Sequence, residues 1–273
     1  MKRELAAGVA IPVVLGILFF LPAVAFDALV AAVALAALWE FYRLAEKTGH
    51  PVAKTIGLMG GAAALAALSG ATIAGHDRAA SFWPLLFATL VVVFLASVAP
   101  LLSSVRPSEA LAGAGSTLFG IASIAIPAGS MFYLRAFSPR AVFFLFVIVW
   151  GCDSAAYYTG RRLGRRKLAP VVSPNKTWEG TIGGLVGATL IGAAAGTWWL
   201  LPELGPAPGA LAGALASSAG QIGDLVESLW KRGAGVKDSG NFLPGHGGFY
   251  DRIDSLLYAG PVLAAILMWC VRR

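Results

Sequence analysis

The chain has 273 residues, of which 58% are hydrophobic and 13% are charged, and its mean hydropathy is +0.75. This composition excludes an ordinary soluble domain and predicts a protein embedded in a lipid bilayer. In a membrane protein the formal net charge of +7 indicates basic loops beside anionic lipid, so no nucleic-acid partner is expected. Cys152 and Cys270 lack a CxxC spacing, so neither a disulfide framework nor a thiolate metal site is predicted.

Nine apolar runs follow one another along the chain, and each is near the roughly 20 residues that a helix needs to cross a bilayer core. They lie at about residues 5–25, 28–45, 55–75, 81–103, 110–134, 141–160, 180–201, 207–229 and 253–271. Because the runs are continuous and rich in Ala, Leu and Val, helices are favoured over barrel strands. The sequence therefore predicts an all-α, polytopic integral membrane bundle of about nine transmembrane helices.

The distribution of basic residues predicts the orientation of this bundle. Most of the 21 Lys and Arg residues fall in loops on the same side as the N-terminus. The positive-inside rule then places the N-terminus and the basic loops in the cytoplasm, as in a bacterial-type inner membrane. Five basic residues fall on the opposite side, and among them the terminal pair Arg272 and Arg273 mildly opposes this orientation.

The two halves of the chain differ in chemical content, which predicts a division into two parts. Residues 1–140 hold N-terminal transmembrane helices with small-residue clusters suited to packing and lipid contact. Residues 141–273 hold the C-terminal helices and the cytoplasmic loops in which most of the informative charges lie. A functional site facing the cytoplasm is therefore expected in the second part.

Two acidic residues lie inside apolar runs. Glu40 is one turn from Arg43, so a structural ion pair near the interface is the favoured interpretation. Asp153 lies deeper, in WGCDSAAYYTGRRLG, where an acid is costly unless it is paired, protonated or bound to a cation. A functional role is favoured for Asp153, and pairing with Tyr157 is the alternative.

The loop GRRLGRRKLAPVVSPNKTWEG follows this run. Its five basic residues between 161 and 167 are typical of a solvated loop that is attracted to anionic headgroups. The segment from Ser173 to Gly180 resembles a helix start, with Thr177 as a candidate N-cap. Lys176 would then lie beside a helix N-terminus, where backbone N–H groups favour anions, so a phosphate site is predicted there.

The stretch from Ser228 to Ser255 concentrates charge and glycine in a chain otherwise poor in charge. Asp251 and Asp254 are three residues apart and share a helix face, as do Asp224 and Glu227 just upstream. Carboxylates gathered in one pocket repel one another unless a cation is present, and oxygen ligands favour Mg²⁺ over zinc. The candidate metal ligands are Asp224, Asp251, Asp254 and Asp153, and a second cation is left open.

Basic side chains stand beside these acids. Glu227 is interpreted as the ion-pair partner of Lys231, four residues later. Carboxylate-held metal beside basic residues that suit phosphate oxygens is typical of phosphoryl or nucleotidyl transfer. No Walker A pattern is present in the sequence, which argues against a grafted soluble nucleotide-binding domain. The candidate phosphate-binding residues are Lys176, Ser228, Lys231, Arg232, Lys237 and Arg252.

The pattern S-x-x-K-R-x4-K-D-x-G-x3-P-G-H-G-G-x-x-D-R-x-D, from Ser228 to Asp254, resembles the signature of CTP:phosphatidate cytidylyltransferases, also called CDP-diacylglycerol synthases. The segments Asp153–Tyr157 and Ser173–Thr177 are similar to the same family. Trp230 departs from the pattern, which usually has a smaller apolar residue there.

The resemblance implies an enzyme of phospholipid biosynthesis that binds CTP, phosphatidic acid and membrane lipid and depends on Mg²⁺. It would release CDP-diacylglycerol and pyrophosphate. The residues it implies for catalysis are Asp224, Asp251, Asp254 and His246, the last for orientation or proton transfer.

Two other functions stay open on the sequence alone. A CTP-dependent kinase of a membrane alcohol such as a polyprenol would use similar groups but release CDP. A transporter of an anionic or cation-coupled solute would also carry intramembrane acids, although the charges crowd one side and no two-fold hydropathy symmetry is evident. Whether the chain acts as a homodimer is open as well.

Overall fold

The computed structural model describes residues 2–73, 90–91, 93–98, 106–198, 200–240 and 247–271, with side chains from residue 10 onward except that of residue 198. Helices dominate these ranges, and one small antiparallel hairpin interrupts them. The helices are α1 (Lys2–Phe20), α2 (Ala23–Lys47), α3 (Lys54–Ile73), α4 (Pro107–Gly120), α5 (Ile126–Ala128), α6 (Ser130–Phe137), α7 (Pro139–Leu163), α8 (Trp178–Trp198), α9 (Pro206–Gly233) and α10 (Tyr250–Cys270). A π-helical stretch, Ile121–Ala125, joins α4 to α5.

Six of the described helical segments are long and apolar enough to cross a membrane. They are Ala23–Lys47, Lys54–Thr72, Pro107–Phe137, Pro139–Leu163, Trp178–Thr197 and Tyr250–Cys270. The all-α, polytopic membrane class is thereby confirmed. The count of about nine stays a prediction, because the apolar run at 81–103 lies mostly outside the described residues.

Two short strands precede α8. β1 (Lys167–Ala169) pairs antiparallel with β2 (Ser173–Thr177), so that Lys167 faces Thr177 and Ala169 faces Ser173. The sequence predicted only a helix start in this segment. The helix start is confirmed, since α8 begins at Trp178 and Thr177 Oγ1 accepts a hydrogen bond of 3.1 Å from the Gly180 N–H.

The chain packs into two units. One consists of Met1–Ala136 with Gly233–Arg252, and the other of Phe137–Arg232 with Ile253–Arg273. The first break lies close to the predicted boundary at 140, and residues 233–252 of the glycine-rich stretch belong to the same unit as the N-terminal helices. The assignment of the functional site to residues 141–273 stays a prediction.

Aromatic side chains from α2 form the centre of the first unit. Tyr42 is fully buried, and its hydroxyl donates a 2.8 Å hydrogen bond to the Thr117 carbonyl in α4. Gly120 lets α4 approach this ring, because a Cβ there would lie 2.6 Å from Tyr42 Cε1. Phe41 packs edge-on against the ring of Tyr250 at the start of α10.

Glycines set the helix spacing in the second unit. Gly192 in α8 and Gly209 in α9 each face the other's carbonyl so closely that a Cβ at either position would collide with it. One turn further along α9, Gly213 stands in the same way against the Ala188 carbonyl. Small residues that bring helix backbones together are typical of helix packing in bilayers.

Candidate active site

Three carboxylates gather in the second unit. Asp224 and Glu227 come from α9 and Asp254 from α10, and one ligand oxygen from each lies within 4.8 Å of the others. The three-residue spacing within α9 puts its two acids on one helix face. We call this group the acidic cluster.

A glycine allows the two helices to meet at the level of the acidic cluster. A Cβ at Gly223 would lie 2.8 Å from the Asp254 carbonyl oxygen and 2.5 Å from Tyr258 Cδ2. Any side chain at this position would therefore push α10 away from α9. The residue directly before Asp224 thus sets how closely Asp254 approaches it.

Two lysines neutralise part of the charge of the cluster. Lys176 Nζ lies 2.7 Å from Asp224 Oδ2, and Lys231 Nζ forms an ion pair with Glu227. The Glu227 side chain is 1% exposed, so its charge would be costly to bury without such a partner. The predicted pair of Glu227 and Lys231 is confirmed, and Glu227 is also a member of the acidic cluster.

Asp153 is a fourth acid near this group. It lies in α7, close enough to Asp224 and Lys176 for their charges to interact, and it interacts in the same way with Asp254. The acids in this region therefore outnumber the two lysines that lie among them. An excess of negative charge of this kind favours the binding of a cation.

The hairpin and the start of α8 hold Lys176 in place. The Trp178 N–H donates to the Arg166 carbonyl at 3.0 Å, and the Arg165 and Arg166 N–H groups donate to the Glu179 carboxylate. Lys176 lies one residue before the N-cap, beside backbone N–H groups that favour anions. The predicted location of Lys176 at a helix N-terminus is therefore correct, and its role at phosphate stays a prediction.

Two further predicted phosphate-binding residues lie along α9. The Ser228 hydroxyl is 3.4 Å from Asp224 Oδ1 and donates to it. Arg232 is exposed, and its Nε–H donates to the Val172 carbonyl, in the turn between the two strands, at 3.2 Å. The end of α9 is thereby linked to the hairpin that carries Lys176.

Three further predicted site residues, Asp251, Lys237 and Arg252, belong to the first unit. Asp251 Oδ2 accepts hydrogen bonds from the Ser239 N–H at 2.9 Å and the Gly248 N–H at 2.7 Å. Lys237 and Arg252 are exposed, and His246 lies outside the described residues. The roles of these four residues stay predictions.

Glu40 has different partners from the one expected. Its carboxylate accepts hydrogen bonds from the Phe249 N–H at 3.1 Å, the Tyr250 N–H at 2.9 Å and the Ser239 hydroxyl at 2.8 Å. These partners lie 199 to 210 residues away in the sequence, whereas the expected partner, Arg43, lies one turn away. Nothing local in the sequence marks this connection.

The acidic cluster fits a hard divalent cation. Ligand oxygens about 2.1 Å from Mg²⁺ in octahedral geometry lie roughly 3 to 4 Å from one another. Oxygens within 4.8 Å of one another reach that arrangement with small side-chain movements. The residues that would hold the ion are Asp224, Glu227 and Asp254. Glu227 was not among the ligands that the sequence predicted.

The sequence profile of the cytidylyltransferase family matches residues 1–270. The chain belongs to this family. It is similar to the phosphatidate cytidylyltransferase of Pseudomonas aeruginosa, with 38% identity over 270 residues, which cover 97% of this chain and 96% of that protein. The resemblance seen between Ser228 and Asp254 is thereby confirmed.

Two other relatives match over shorter stretches. The phosphatidate cytidylyltransferase of Bacillus subtilis is 48% identical over 129 residues, which cover 46% of each protein. That of Brucella suis is 44% identical over 158 residues, which cover 55% of this chain and 56% of that protein.

Proposed function

We propose that the protein is a phosphatidate cytidylyltransferase of the membrane, which converts CTP and phosphatidic acid to CDP-diacylglycerol and pyrophosphate. The observation that carries this proposal is the acidic cluster with its two paired lysines, in a chain similar to such an enzyme over 97% of its length. Negative groups for a cation and positive groups for phosphate are both needed when a nucleotide triphosphate is the substrate.

The reaction joins two phosphate groups. A phosphate oxygen of the lipid forms a bond to the α-phosphorus of CTP, and the bond from that phosphorus to the bridging oxygen of the pyrophosphate breaks. The electron pair leaves with pyrophosphate, so atoms and charges balance. A phosphate monoester is largely ionised at neutral pH, because its second pKa is near 6. The attacking oxygen therefore needs no strong general base.

The acidic cluster would hold Mg²⁺, with Asp153 adding negative charge nearby. A bound divalent cation neutralises the triphosphate and the leaving pyrophosphate.

Lys176 and Lys231 would orient the phosphates. Each is paired with a carboxylate, and a lysine on a flexible stem can exchange a carboxylate for a phosphate oxygen. Lys176 has the backbone N–H groups at the start of α8 beside it, which add to its attraction for anions. Ser228 and Arg232 lie on the same helix as Lys231 and are proposed to contact phosphate as well.

Residues 237–252, which we call the signature loop, would supply the other groups. Asp251 is proposed as a further cation ligand, Lys237 and Arg252 as phosphate contacts, and His246 as an orienting or proton-transferring group. The proposal for these residues is supported by the match of their motif to the family signature.

The membrane helices suit an amphiphilic substrate. The acyl chains of phosphatidic acid can stay in the bilayer while the headgroup meets CTP at the surface. Most Lys and Arg residues fall in loops on one side of the predicted helix bundle. This bias supports a cytoplasmic location of the surface, in a bacterial inner membrane.

Purified protein incubated with CTP, phosphatidic acid and Mg²⁺ tests the proposal. We expect one CDP-diacylglycerol and one pyrophosphate for each CTP consumed, and no turnover after the divalent cation is removed with EDTA. Release of CDP without pyrophosphate would instead identify a CTP-dependent kinase. Movement of a solute across proteoliposomes without CTP turnover would identify a transporter.

A further inference from the structure

The proposed reaction gives no reason for the burial of the Glu40 carboxylate. Its side chain belongs to α2, and the residue is 3% exposed. A carboxylate buried to this extent is stable only when hydrogen bonds or opposite charges compensate for the lost water. Among the described residues, the hydrogen bonds that compensate for the burial of Glu40 come from the two ends of the signature loop.

Both carboxylate oxygens of Glu40 are used at these loop ends. Oε1 accepts from the Phe249 N–H, and Oε2 accepts from the Tyr250 N–H and the Ser239 hydroxyl. Phe249 and Tyr250 stand at the N-terminus of α10, where the first backbone N–H groups of a helix lack partners within the helix. Glu40 therefore acts as an N-cap for α10 that is supplied by another helix.

Two glycines of the signature make room for this carboxylate. A Cβ at Gly240 or at Gly248 would collide with the carboxylate of Glu40. In the sequence these positions lie on either side of the segment 241–246. Glu40 therefore contacts the chain both before and after that segment. The two glycines thus leave the space that the Glu40 carboxylate occupies.

Glu40 is linked to Asp251 through one serine. The Ser239 hydroxyl lies 2.8 Å from Glu40 Oε2 and 2.9 Å from Asp251 Oδ2, and it can donate its single proton to one of them at a time. The Gly248 N–H also donates to Asp251 Oδ2. Any displacement of the loop ends from Glu40 would therefore move the groups that orient the Asp251 carboxylate.

We propose that Glu40 is a positioning residue, which fixes both ends of the signature loop and thereby the orientation of Asp251. The part that concerns activity rests on the proposed function, because Asp251 is assigned there as a cation ligand. The part that concerns the loop stands on the geometry alone. Helix α2 then contributes to the orientation of Asp251 through Glu40.

The Glu40→Gln variant tests the proposal because it keeps the shape of the side chain. Whichever way the new amide is oriented, its NH₂ group meets a backbone N–H, since each Glu40 oxygen accepts one. We expect amide exchange in peptides covering 237–252 of the full-length protein to become roughly 10- to 100-fold faster. Exchange in α7 and α8 should stay unchanged.

Activity supplies the second readout. For Glu40→Gln we expect kcat to fall roughly 10- to 100-fold, as is typical when the partner of a metal-binding carboxylate is lost. The Mg²⁺ concentration that gives half the maximal rate should rise as well. A purely structural role would lower the amount of folded enzyme without changing this Mg²⁺ dependence.

Asp27→Asn is the matched control. Asp27 lies in the same helix, is 8% exposed and accepts a 2.8 Å hydrogen bond from the Ser69 hydroxyl in α3. It is a buried acid of the same unit whose described partner lies outside the signature loop. We expect this variant to leave both the exchange of residues 237–252 and the rate per folded enzyme unchanged.

A second variant decides the question if Glu40→Gln does not fold. Ser239→Ala removes the hydroxyl that joins the two carboxylates and keeps the Ser239 N–H bond to Asp251. We expect a smaller acceleration of exchange, confined to the same peptides. If the wild-type protein made no CDP-diacylglycerol, the proposed function would fail and the exchange data would still test the loop.

Three results would overturn the inference. The first is exchange in 237–252 that neither Glu40→Gln nor Ser239→Ala accelerates. The second is acceleration spread equally over the described helices, which would mean a general loss of stability. The third is a loosened loop in an enzyme that keeps wild-type kcat and Mg²⁺ dependence, which would refute the positioning of Asp251.

Discussion

The protein holds carboxylates in two different ways. In the acidic cluster, Asp224 and Glu227 face lysine side chains, and the Lys176 side chain is 25% exposed. At the base of the signature loop, the carboxylates of Glu40 and Asp251 accept hydrogen bonds from backbone N–H groups.

The two kinds of partner have different consequences. A lysine on a long stem can leave its carboxylate when a cation or a phosphate arrives, whereas a backbone N–H is fixed by the fold. The carboxylates of the acidic cluster can therefore exchange partners, whereas those at the base of the signature loop are held in place.

The largest effect is expected where a carboxylate of the acidic cluster loses its charge. Asp254→Asn should lower turnover roughly 100- to 1000-fold, because a charge that stabilises the cation is removed. The rate of CDP-diacylglycerol formation per folded enzyme measures this. Glu203→Gln, which alters an exposed acid in the connection between α8 and α9, should behave as the wild type. A rate for Asp254→Asn within twofold of the wild type would remove the acidic cluster from the reaction.

Asp251→Asn separates the two proposed uses of the Asp251 carboxylate, which are to hold the loop and to bind a cation. An Asn oxygen in the position of Oδ2 can still accept from Ser239 and Gly248, so the loop should keep its amide exchange rates. Loss of the charge should nevertheless lower turnover by a factor on the order of 100. Normal turnover would mean that Asp251 only holds the base of the loop. Faster amide exchange in the loop would show that the charge of Asp251 is needed to hold it.

Lys176→Gln is expected to weaken the binding of the triphosphate. The loss of a charge-assisted hydrogen bond should raise the KM for CTP roughly 10- to 100-fold, as measured by initial rates. Lys167→Gln is the control, because Lys167 lies on the neighbouring strand of the same hairpin and is exposed. Equal effects of both substitutions would point to a general attraction of the basic loop, with no specific contact by Lys176.

Gly223→Ala should have a smaller effect, through geometry alone. The added methyl group would lie 2.5 Å from Tyr258 Cδ2, so α10 must shift and Asp254 with it. We expect a fall in Tm by several degrees, from about 1–3 kcal/mol of overpacking, and a fall in rate of about tenfold. Gly220→Ala, one turn earlier, meets its nearest atom at an ordinary 3.4 Å and should change little. The same loss for both variants would contradict the role assigned to Gly223.

Local patterns in the sequence predicted the features that depend on local structure. The apolar runs other than 81–103 correspond to described helices, Thr177 caps α8, and Lys231 pairs with Glu227 four residues away. Each of these features depends on residues within one or two helical turns. Sequence spacing is therefore sufficient to predict them.

Features that depend on distant residues were missed. The hairpin at 167–177 has strands of three and five residues, which are too short to produce an alternating pattern. Glu40 was assigned to Arg43 because the pairing with Ser239 and Tyr250 requires knowledge of the tertiary fold. The approach of Asp254 to Asp224 was predicted, but Glu227 was not recognised as a cluster member because its lysine partner already explained its charge.

The central claim is that the α-phosphorus of CTP is attacked by a phosphate of the lipid. CTP labelled separately at the α- and γ-phosphorus, incubated with the purified protein, phosphatidic acid and Mg²⁺, tests this claim most directly. We predict that the α label appears in the lipid product and the γ label in pyrophosphate. A γ label in the lipid with release of CDP would contradict the account.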